Sequence, residues 1–263
     1  MKKTVVHWLI IFALFLRPAL SAGKRTDQVG ADKDKTFQNA YALISESDLY
    51  CSFFVLEDEP WLRIAAGERG AEKMLLTDGD LFYFKIGPDE GLKEGQVMTV
   101  LEIGPKVSGP GSKKSPGPVA FRRGRARLVR FEKDFALGRV EKACGPVMVG
   151  NSLVPFVEKD GLLGKALGFD VSVRNQETLS GRIIFLDNQV TQIGSGQWAL
   201  IDLGREQGLQ FGQQLTVAHR AAEGLPLEAI GNAIVIHAGR VTSTIKVLSA
   251  RDAIGLGDLV QVK

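Results

Sequence analysis

The sequence predicts an all-β protein in which two small barrel- or sandwich-like domains repeat in tandem. Its 30 glycines and many short apolar runs indicate short strands joined by frequent turns. Residues 87–100 match residues 204–217 at an offset of 117, with seven of fourteen positions identical. A second match, at an offset of 107, aligns the segment around Gly124 with the segment around Gly231. Two copies of this length indicate tandem domains rather than a solenoid of many short repeats.

The first 23 residues have the order of a secretory signal peptide. Two lysines precede an apolar run over residues 5–16, and small residues follow Pro18. An uncleaved membrane anchor is the alternative, but the apolar run is shorter than the ~20 residues that a spanning helix needs. A lipid anchor is not predicted, because Gly23 rather than cysteine follows the small residues. We therefore expect export, removal of residues 1–23, and a mature chain without a transmembrane segment.

The charge balance gives no sign of a nucleic-acid partner. The full chain carries 33 Lys+Arg and 30 Asp+Glu, a formal net charge of +3. Lys2, Lys3 and Arg17 lie in the signal peptide, so its removal leaves 30 basic and 30 acidic residues. A neutral mature chain lacks the basic excess that is typical of proteins that bind nucleic acid.

Turn residues and apolar runs divide the mature chain into four parts. Residues 24–60 form an N-terminal segment that we expect to be partly disordered, with a short helix over residues 37–47. Repeat 1 spans residues 61–156, a linker spans 157–179, and repeat 2 spans 180–263. The predicted strands lie near residues 61–66, 74–76, 81–86, 97–103, 120–132, 135–143 and 153–157 in repeat 1, and near 181–186, 190–193, 198–203, 214–219, 229–237, 242–249 and 259–262 in repeat 2.

Three glycines spaced four apart mark the turn that the two repeats share. In each copy a strand ends just before the first glycine, and the next strand begins two residues after the third. Because glycine adopts positive φ without a steric penalty, this spacing suits a tight reversal of the chain. A phosphate cradle is the alternative, but dinucleotide sites place G-x-G-x-x-G before a helix, and strands follow here. We expect Leu92 and Leu209 to lie under the turns, whose glycines are Gly87, Gly91, Gly95, Gly204, Gly208 and Gly212.

Cys51 and Cys144 are the only cysteines in the chain. Disulfides form and persist in oxidising compartments, and export would place the protein in one. We therefore predict a Cys51–Cys144 disulfide that ties the N-terminal segment to the last part of repeat 1. Two buried free thiols are the alternative, and Cα atoms more than ~7 Å apart would exclude the bond.

The basic region of the chain lies between Glu102 and Glu132, where eight basic residues occur without an acid. Residues 104–118 are rich in Pro, Gly, Ser and Lys and predict a mobile loop, and alternate arginines share one face of the strand that follows. One interpretation is a solvated hairpin whose arginines pair with acids elsewhere on the protein. The other is a contact site for lipid phosphate, lipopolysaccharide, wall polymer or an acidic protein, because the planar fork of arginine suits phosphate and carboxylate. The candidate contact residues are Lys113, Lys114, Arg122, Arg123, Arg125 and Arg127.

No pattern of residues points to an active site. Outside the signal peptide the histidines are His219 and His237, each beside the end of a predicted strand and without a patterned partner. The sequence lacks H-E-x-x-H, G-x-S-x-G and paired-cysteine metal motifs, and Lys113 and Lys114 miss the spacing of a P-loop. We therefore predict a protein that is not an enzyme, with no catalytic residue, cofactor or metal site.

Three motifs within residues 41–263 are shared with known proteins. The shared motifs are ISESDLYC at residues 44–51, the glycine turn at 87–95 and CGPVMVGNSLVP at 144–155. Together they look like the C-terminal region of envelope proteins that carry an N-terminal LysM module. The turn with its following strands is also similar to the C-terminal domain of flagellar assembly protein T. No LysM-like stretch precedes residue 41, so glycan binding through LysM is not carried over.

These observations favour a non-enzymatic protein of the periplasm or cell envelope with a structural, assembly or scaffolding role, and the resemblance suggests a place near a flagellar base. The alternative is a binding module for an anionic envelope polymer or lipid head group, which would use the basic hairpin of residues 104–130. The expected partners are therefore envelope proteins or an anionic envelope polymer. An enzyme with unrecognised residues is a third interpretation, which loss of turnover on substitution of His219 or His237 would support.

Overall fold

Nineteen β-strands account for nearly all regular structure in the computed structural model, which describes residues 41–70, 72–87, 91–108, 115–168, 178–187, 190–222 and 224–263. A helix, α1 (Glu46–Cys51), and a 3₁₀ helix (Arg205–Gln207) complete the described elements. The predicted fold class, all-β and twice repeated, is confirmed. The predicted signal peptide, residues 24–40, and Lys113 and Lys114 lie outside the described residues. Among the residues described, no helix has the length and apolar character to span a bilayer.

Repeat 1 contributes a seven-stranded antiparallel sheet. Its strands are β2 (Phe53–Val55), β3 (Ile64–Gly67), β5 (Leu81–Lys85), β6 (Val97–Val107), β7 (Gly117–Glu132), β8 (Phe135–Ala143) and β10 (Ser152–Pro155). Six of them follow the order β10-β6-β7-β8-β5-β3, and β2 pairs with β7 beyond the end of β8. Alternate side chains enter the core, since Phe82, Phe84, Met98 and Val100 are fully buried.

Repeat 2 forms a closed six-stranded barrel. Its strands are β12 (Ser180–Leu186), β14 (Trp198–Ile201), β15 (Gln214–His219), β16 (Glu228–Ala238), β17 (Ser243–Ala250) and β19 (Leu259–Val262). They follow the order β12-β14-β17-β16-β15-β19, and pairing of β12 with β19 closes the barrel. Sixteen buried apolar side chains, among them Ile201, Leu215 and Val235, fill its interior.

The two repeats share one strand order. The strands β3, β5, β8, β7, β6 and β10 of repeat 1 correspond in sequence to β12, β14, β17, β16, β15 and β19. Equivalent hydrogen bonds support the match: the amide of Gly79 donates to the carbonyl of Val140 (2.8 Å), and that of Gly196 donates to Val247 (2.8 Å). In repeat 1 a single bridge within the described residues, from Arg63 just before β3 to Ser152 of β10, joins the two edges, whereas β12 and β19 of repeat 2 pair over three residues.

Six short strands form three small two-stranded sheets. They are β1 (Tyr41–Ile44) with β11 (Leu162–Gly164), β4 (Leu75–Leu76) with β9 (Val147–Met148), and β13 (Gln192–Ile193) with β18 (Ile254–Gly255). The helix predicted over residues 37–47 is wrong over residues 41–44, which form β1, and agrees with the structure only at Glu46 and Ser47, where α1 begins. β11 lies within the predicted linker.

The second and third glycines of each turn have the left-handed backbone that their spacing predicts, whereas Gly204, the first glycine of the second turn, is extended with φ of −141°. Gly91 and Gly95 have φ of 62° and 79°, and Gly208 and Gly212 have φ of 89° and 81°. The third glycine of each turn donates to the strand across the sheet, from Gly95 to Leu128 (2.8 Å) and from Gly212 to Val235 (2.9 Å). Leu209 is buried and Leu92 packs at the edge of the repeat 1 core, as predicted.

Residues 41–57 pack between the two repeats, and we call them the bridging segment. Leu43, Ile44 and Leu49 cluster with Ile234 and Ile236 of the barrel wall, and Phe53 and Val55 cluster with Val119 and Leu200. The buried carboxylate of Asp48 accepts hydrogen bonds from Lys246 (2.7 Å) and from the indole of Trp198 (2.9 Å). Burial by itself would raise the pKa of Asp48, but hydrogen bonds from Lys246, Ser45 and Trp198 outweigh it and lower the pKa.

The predicted disulfide is confirmed. Cys51, the last residue of α1, bonds to Cys144 just after β8, with Cα atoms 5.3 Å apart and 93 positions of sequence separation. This distance lies within the usual range for a disulfide. The bond fixes the bridging segment to repeat 1, while the contacts of Asp48 hold it to repeat 2.

Candidate functional site

Most arginines of the basic hairpin pair with acids. The pairs are Arg123 with Glu102 (2.6 Å), Arg125 with Glu46 (3.3 Å), Arg127 with Glu141, and Arg130 with Glu132 (2.6 Å). The shared face predicted for Arg125 and Arg127 is confirmed, since Ala126 and Leu128 are buried on the opposite face. This part of the hairpin has the surroundings expected of a solvated, charge-paired surface.

Arg122 differs from its neighbours because its side chain is buried. It keeps 8% of its accessible surface, and its guanidinium lies 4.3 Å from the ring centre of Phe54. One guanidinium nitrogen donates to the carbonyl (3.3 Å) and the hydroxyl (3.1 Å) of Ser52. Within the described residues no carboxylate pairs with it, and burial lowers the pKa of Arg122 to about 10. The group therefore stays charged at neutral pH, with only neutral partners to offset its desolvation.

Lys159 and His237 place two more basic groups beside Arg122. Nζ of Lys159 lies 3.4 Å from Nδ1 of His237, which projects from β16 of the barrel. The hydroxyl of Tyr50 fixes the Lys159 backbone, because it donates to the carbonyl (2.9 Å) and accepts from the amide (2.7 Å). The ring of His237 lies 5.1 Å from the ring of Phe54, the same ring that Arg122 contacts. The bridging segment thus joins a cation of repeat 1 to a histidine of repeat 2.

The accumulated positive charge favours the neutral forms of Lys159 and His237. Burial, and then the charge of Arg122, lowers the pKa of Lys159 to about 8. Burial, followed by the charges of Arg122, Lys159 and Arg205, lowers the pKa of His237 well below its ordinary value of 6.5. His237 is therefore neutral at neutral pH. We call Arg122, Lys159, Arg205 and His237 the inter-repeat site.

Two cavities have Lys159 and His237 in both of their walls. The inner cavity, of about 200 Å³, contains Arg122 among mainly apolar side chains such as Phe54, Leu101 and Val154. The outer cavity, of about 600 Å³, adds Arg205 and Asp160 to the apolar side chains Leu209, Phe211, Ile236 and Ala238. The outer volume falls within the range of roughly 300–1,000 Å³ that small-ligand sites occupy.

The donors of the inter-repeat site suit an anion. A guanidinium and an ammonium can only donate hydrogen bonds, and both are positively charged. A carboxylate or phosphate beside Arg122 would accept from it and would supply the counter-charge that its protein surroundings do not. Among the residues described, no group of three or more His, Cys, Asp or Glu side chains could hold a metal ion.

A second polar pair lies at the far end of the barrel. Nδ1 of His219 lies 2.6 Å from a carboxylate oxygen of Asp258, which is buried, while the His219 side chain is 51% exposed. His219 therefore has a partner that no sequence pattern indicates. The pair forms because β15 and β19 are neighbours in the closed barrel, with Ala218 opposite Leu259. Neither residue lies in a sequence motif that would have predicted this contact.

The structure brings one predicted contact residue, Arg122, into the inter-repeat site. Arg123, Arg125 and Arg127 line the charge-paired face instead, and Lys159, Arg205 and His237 were not predicted as site residues. No protein-family model matches the sequence, and a search of curated proteins found no match. The geometry of the inter-repeat site is therefore the basis for assigning a function.

Proposed function

We propose that this protein is an exported, non-enzymatic component of the bacterial cell envelope that binds an anionic ligand between its two β repeats. The observation that carries the proposal is Arg122, a buried guanidinium with no carboxylate partner among the described residues, in the wall of a cavity that Lys159 and His237 also line. An uncompensated buried charge destabilises a fold by several kcal/mol, on the order of 3–5. An anionic ligand would supply the missing charge.

The proposed ligand contact is the inward side of the basic hairpin rather than its outward face. Arg123, Arg125 and Arg127 each have a carboxylate within ion-pair distance, so an incoming anion would compete with an existing partner. Arg122 has no such competitor among the described residues. The inner cavity also has a mainly apolar lining, and electrostatic interactions are stronger beside apolar groups than in bulk water.

Two features support an envelope location. The Cys51–Cys144 disulfide is typical of proteins in oxidising compartments, and the bacterial periplasm is one. The resemblance to LysM-associated envelope proteins and to flagellar assembly protein T points to the same compartment. A test is to follow a C-terminally tagged chain in a Gram-negative host, where we expect a shortened product in the periplasmic fraction.

Melting temperatures of the purified protein in phosphate and in chloride, at equal ionic strength, test the binding proposal. A ligand that binds only the folded state raises the melting temperature with concentration. Because phosphate also stabilises proteins non-specifically, the informative quantity is the difference between wild type and variants. We expect Arg122→Met to lose the phosphate-specific increase, and Arg130→Met, which removes an exposed and paired arginine, to keep it. Equal responses in all three proteins, or no response in the wild type, would overturn the proposal.

A scaffolding role is the second candidate function, and the bridging segment favours it. Residues 41–57 pack on both repeats and are fixed by the disulfide, so the repeats present their outer surfaces as one body. A scaffold benefits from this fixed geometry. Crosslinking in intact cells would test the role. We expect a constant protein partner, whose absence from repeated purifications would argue against a scaffold.

A further inference from the structure

We propose that the ligand of the inter-repeat site is an amphiphilic anion, in which a carboxylate or phosphate head group contacts Arg122 and an apolar body occupies the outer cavity. This inference rests on the proposed function and specifies its ligand class. The two halves of the ligand correspond to the two cavities, which differ in size and in lining.

The inner cavity fits the head group. At about 200 Å³ it is the smaller of the two, and Arg122 is more than nine-tenths buried in its wall. Lys159, whose backbone Tyr50 holds in place, is the second donor within reach of the same space. The reverse orientation is unfavourable, because an apolar body beside Arg122 would leave the guanidinium even less solvated and still unpaired.

The outer cavity fits the apolar body. Leu209, Ile236 and Ala238 line it together with Phe211, which has 44% of its surface exposed. Phe211 belongs to the glycine turn of repeat 2, and the matching position in repeat 1 is Glu94. The same turn therefore carries a large apolar side chain where it borders the cavity and a charged one where it does not. An apolar ligand in the outer cavity would cover this exposed phenylalanine.

The position of the remaining charges agrees with a single anionic head. Lys159, Arg205 and Asp160 line the outer cavity, so an acid offsets one of the two basic side chains around the body. The inner cavity, in contrast, has basic residues and no acid in its wall. Lys159 and His237 lie where the two cavities share a wall, next to the point at which the head joins the body.

A matched ligand series tests the inference by isothermal titration calorimetry on the mature protein. The probes are acetate, octanoate, inorganic phosphate, octyl phosphate and neutral octanol, each below its aggregation concentration. Burial of two or more methylenes strengthens binding by roughly tenfold or more. We therefore expect octanoate to bind more tightly than acetate, and octyl phosphate more tightly than phosphate, each by at least about tenfold in affinity. The ratio between the two octyl anions shows which head group the site prefers.

Variants separate the two halves of the ligand. Arg122→Met and the milder Arg122→Lys should weaken the binding of every anion. Phe211→Ser should reduce the increase in affinity that the octyl chain provides. Phe135→Ser is the matched control, because Phe135 is 42% exposed on β8 and lines neither cavity. If phosphate binds through Arg122 but the chain adds nothing, or octanol binds as well as octanoate, the inference is overturned while anion binding stands. If no anion depends on Arg122, the proposed function is overturned as well.

Discussion

Arg122 and Arg123 are adjacent in sequence but have opposite surroundings. The two-residue period of β7 points Arg123 to the outer face, where Glu102 pairs with it, and points Arg122 inward with Gly124 and Ala126. The outward arginine thus has a carboxylate and partial hydration, whereas the inward one has Ser52 and the face of Phe54. Of these two arginines, Arg122 is the more buried and is also the one without a counter-charge among the described residues.

Lys159 should make stability depend on pH in the alkaline range. Its pKa is about 8 in the folded protein, against an ordinary value of 10.5. Between these values the folded state binds fewer protons than the unfolded state, so the free energy of unfolding rises with pH. The folding penalty of the charged lysine is complete below about pH 8 and is relieved as the pH approaches 10.5. Urea unfolding of wild type and Lys159→Met at pH 7, 8.5 and 9.5 should show the wild type gaining stability relative to the variant.

Lys165→Met is the control for this comparison, because Lys165 is exposed in the same part of the chain. Its pH profile should parallel that of the wild type. If Lys159→Met also ran parallel to the wild type, the lysine would be too well hydrated to have a lowered pKa, and the inter-repeat site would be more open than its lining indicates.

The sequence identified one member of the inter-repeat site and could not identify the others. Arg122 stood out because it belongs to a dense basic run. Lys159 lies in a stretch that resembled a linker, and His237 lies 78 positions away at a strand end. Their contact depends on the packing of repeat 1 against the barrel wall through Phe54, which no local pattern encodes. Long-range convergence of this kind is the part of a site that periodicity and spacing do not reveal.

At the scale of the strand, the two repeats fill the same layer of the core with different pairs of residues. Phe82 on β5 lies opposite Gly138 on β8, and a Cβ on that glycine would lie 2.4 Å from the Phe82 ring. At the equivalent positions of repeat 2, Ala199 lies opposite Ile245. A large residue faces a small one in both repeats, but on opposite strands. Complementary volumes, rather than conserved residues, therefore fill this layer of the core.

In repeat 1, exchanging the large and small residues at Phe82 and Gly138 should show that their effects on the free energy of unfolding are strongly coupled. Gly138→Ile alone would overpack the core, and Phe82→Ala alone would leave a cavity that costs about 3–5 kcal/mol. The double variant reproduces the arrangement of repeat 2, so we expect it to recover much of the loss caused by either single change. Urea denaturation of the four proteins gives the coupling energy. Additive losses would show that the two side chains do not share one space.

The strands of the two repeats can be predicted from the sequence more readily than the elements of the bridging segment. Strands such as β5 and β15 were recognisable because apolar alternation and glycine turns define them locally. β2 and β11 are three residues long and pair only with distant strands, so they carry little local signal. The apolar stripe that includes Tyr41 and Ile44 predicts a helix that begins too early in the chain. The capping box of Ser45 and Asp48, which begins α1, was the better indicator.

At the scale of the whole molecule, the bridging segment makes the repeats depend on each other. Lys246 of the barrel donates to Asp48 (2.7 Å), and Thr244 donates to the carbonyl of Phe53 (2.6 Å), while β2 pairs with β7 of repeat 1. The disulfide holds this segment to repeat 1 in the unfolded chain as well. Neither repeat can therefore expose its core without losing contacts that the other also uses.

We expect the two repeats to open together, and removal of the disulfide to destabilise both. Cross-linking residues 93 positions apart restricts the unfolded chain, and loss of such a bond costs about 2–5 kcal/mol. Native-state hydrogen exchange reports the opening free energies of β5 in repeat 1 and β16 in repeat 2 separately. In the wild type these should be equal, and in a Cys51→Ser/Cys144→Ser variant both should fall by the same amount. A decrease confined to β5 would mean that the closed barrel of repeat 2 is stable by itself. The bridging segment would then be an attachment rather than a shared core, and the inter-repeat site would open without unfolding of either repeat.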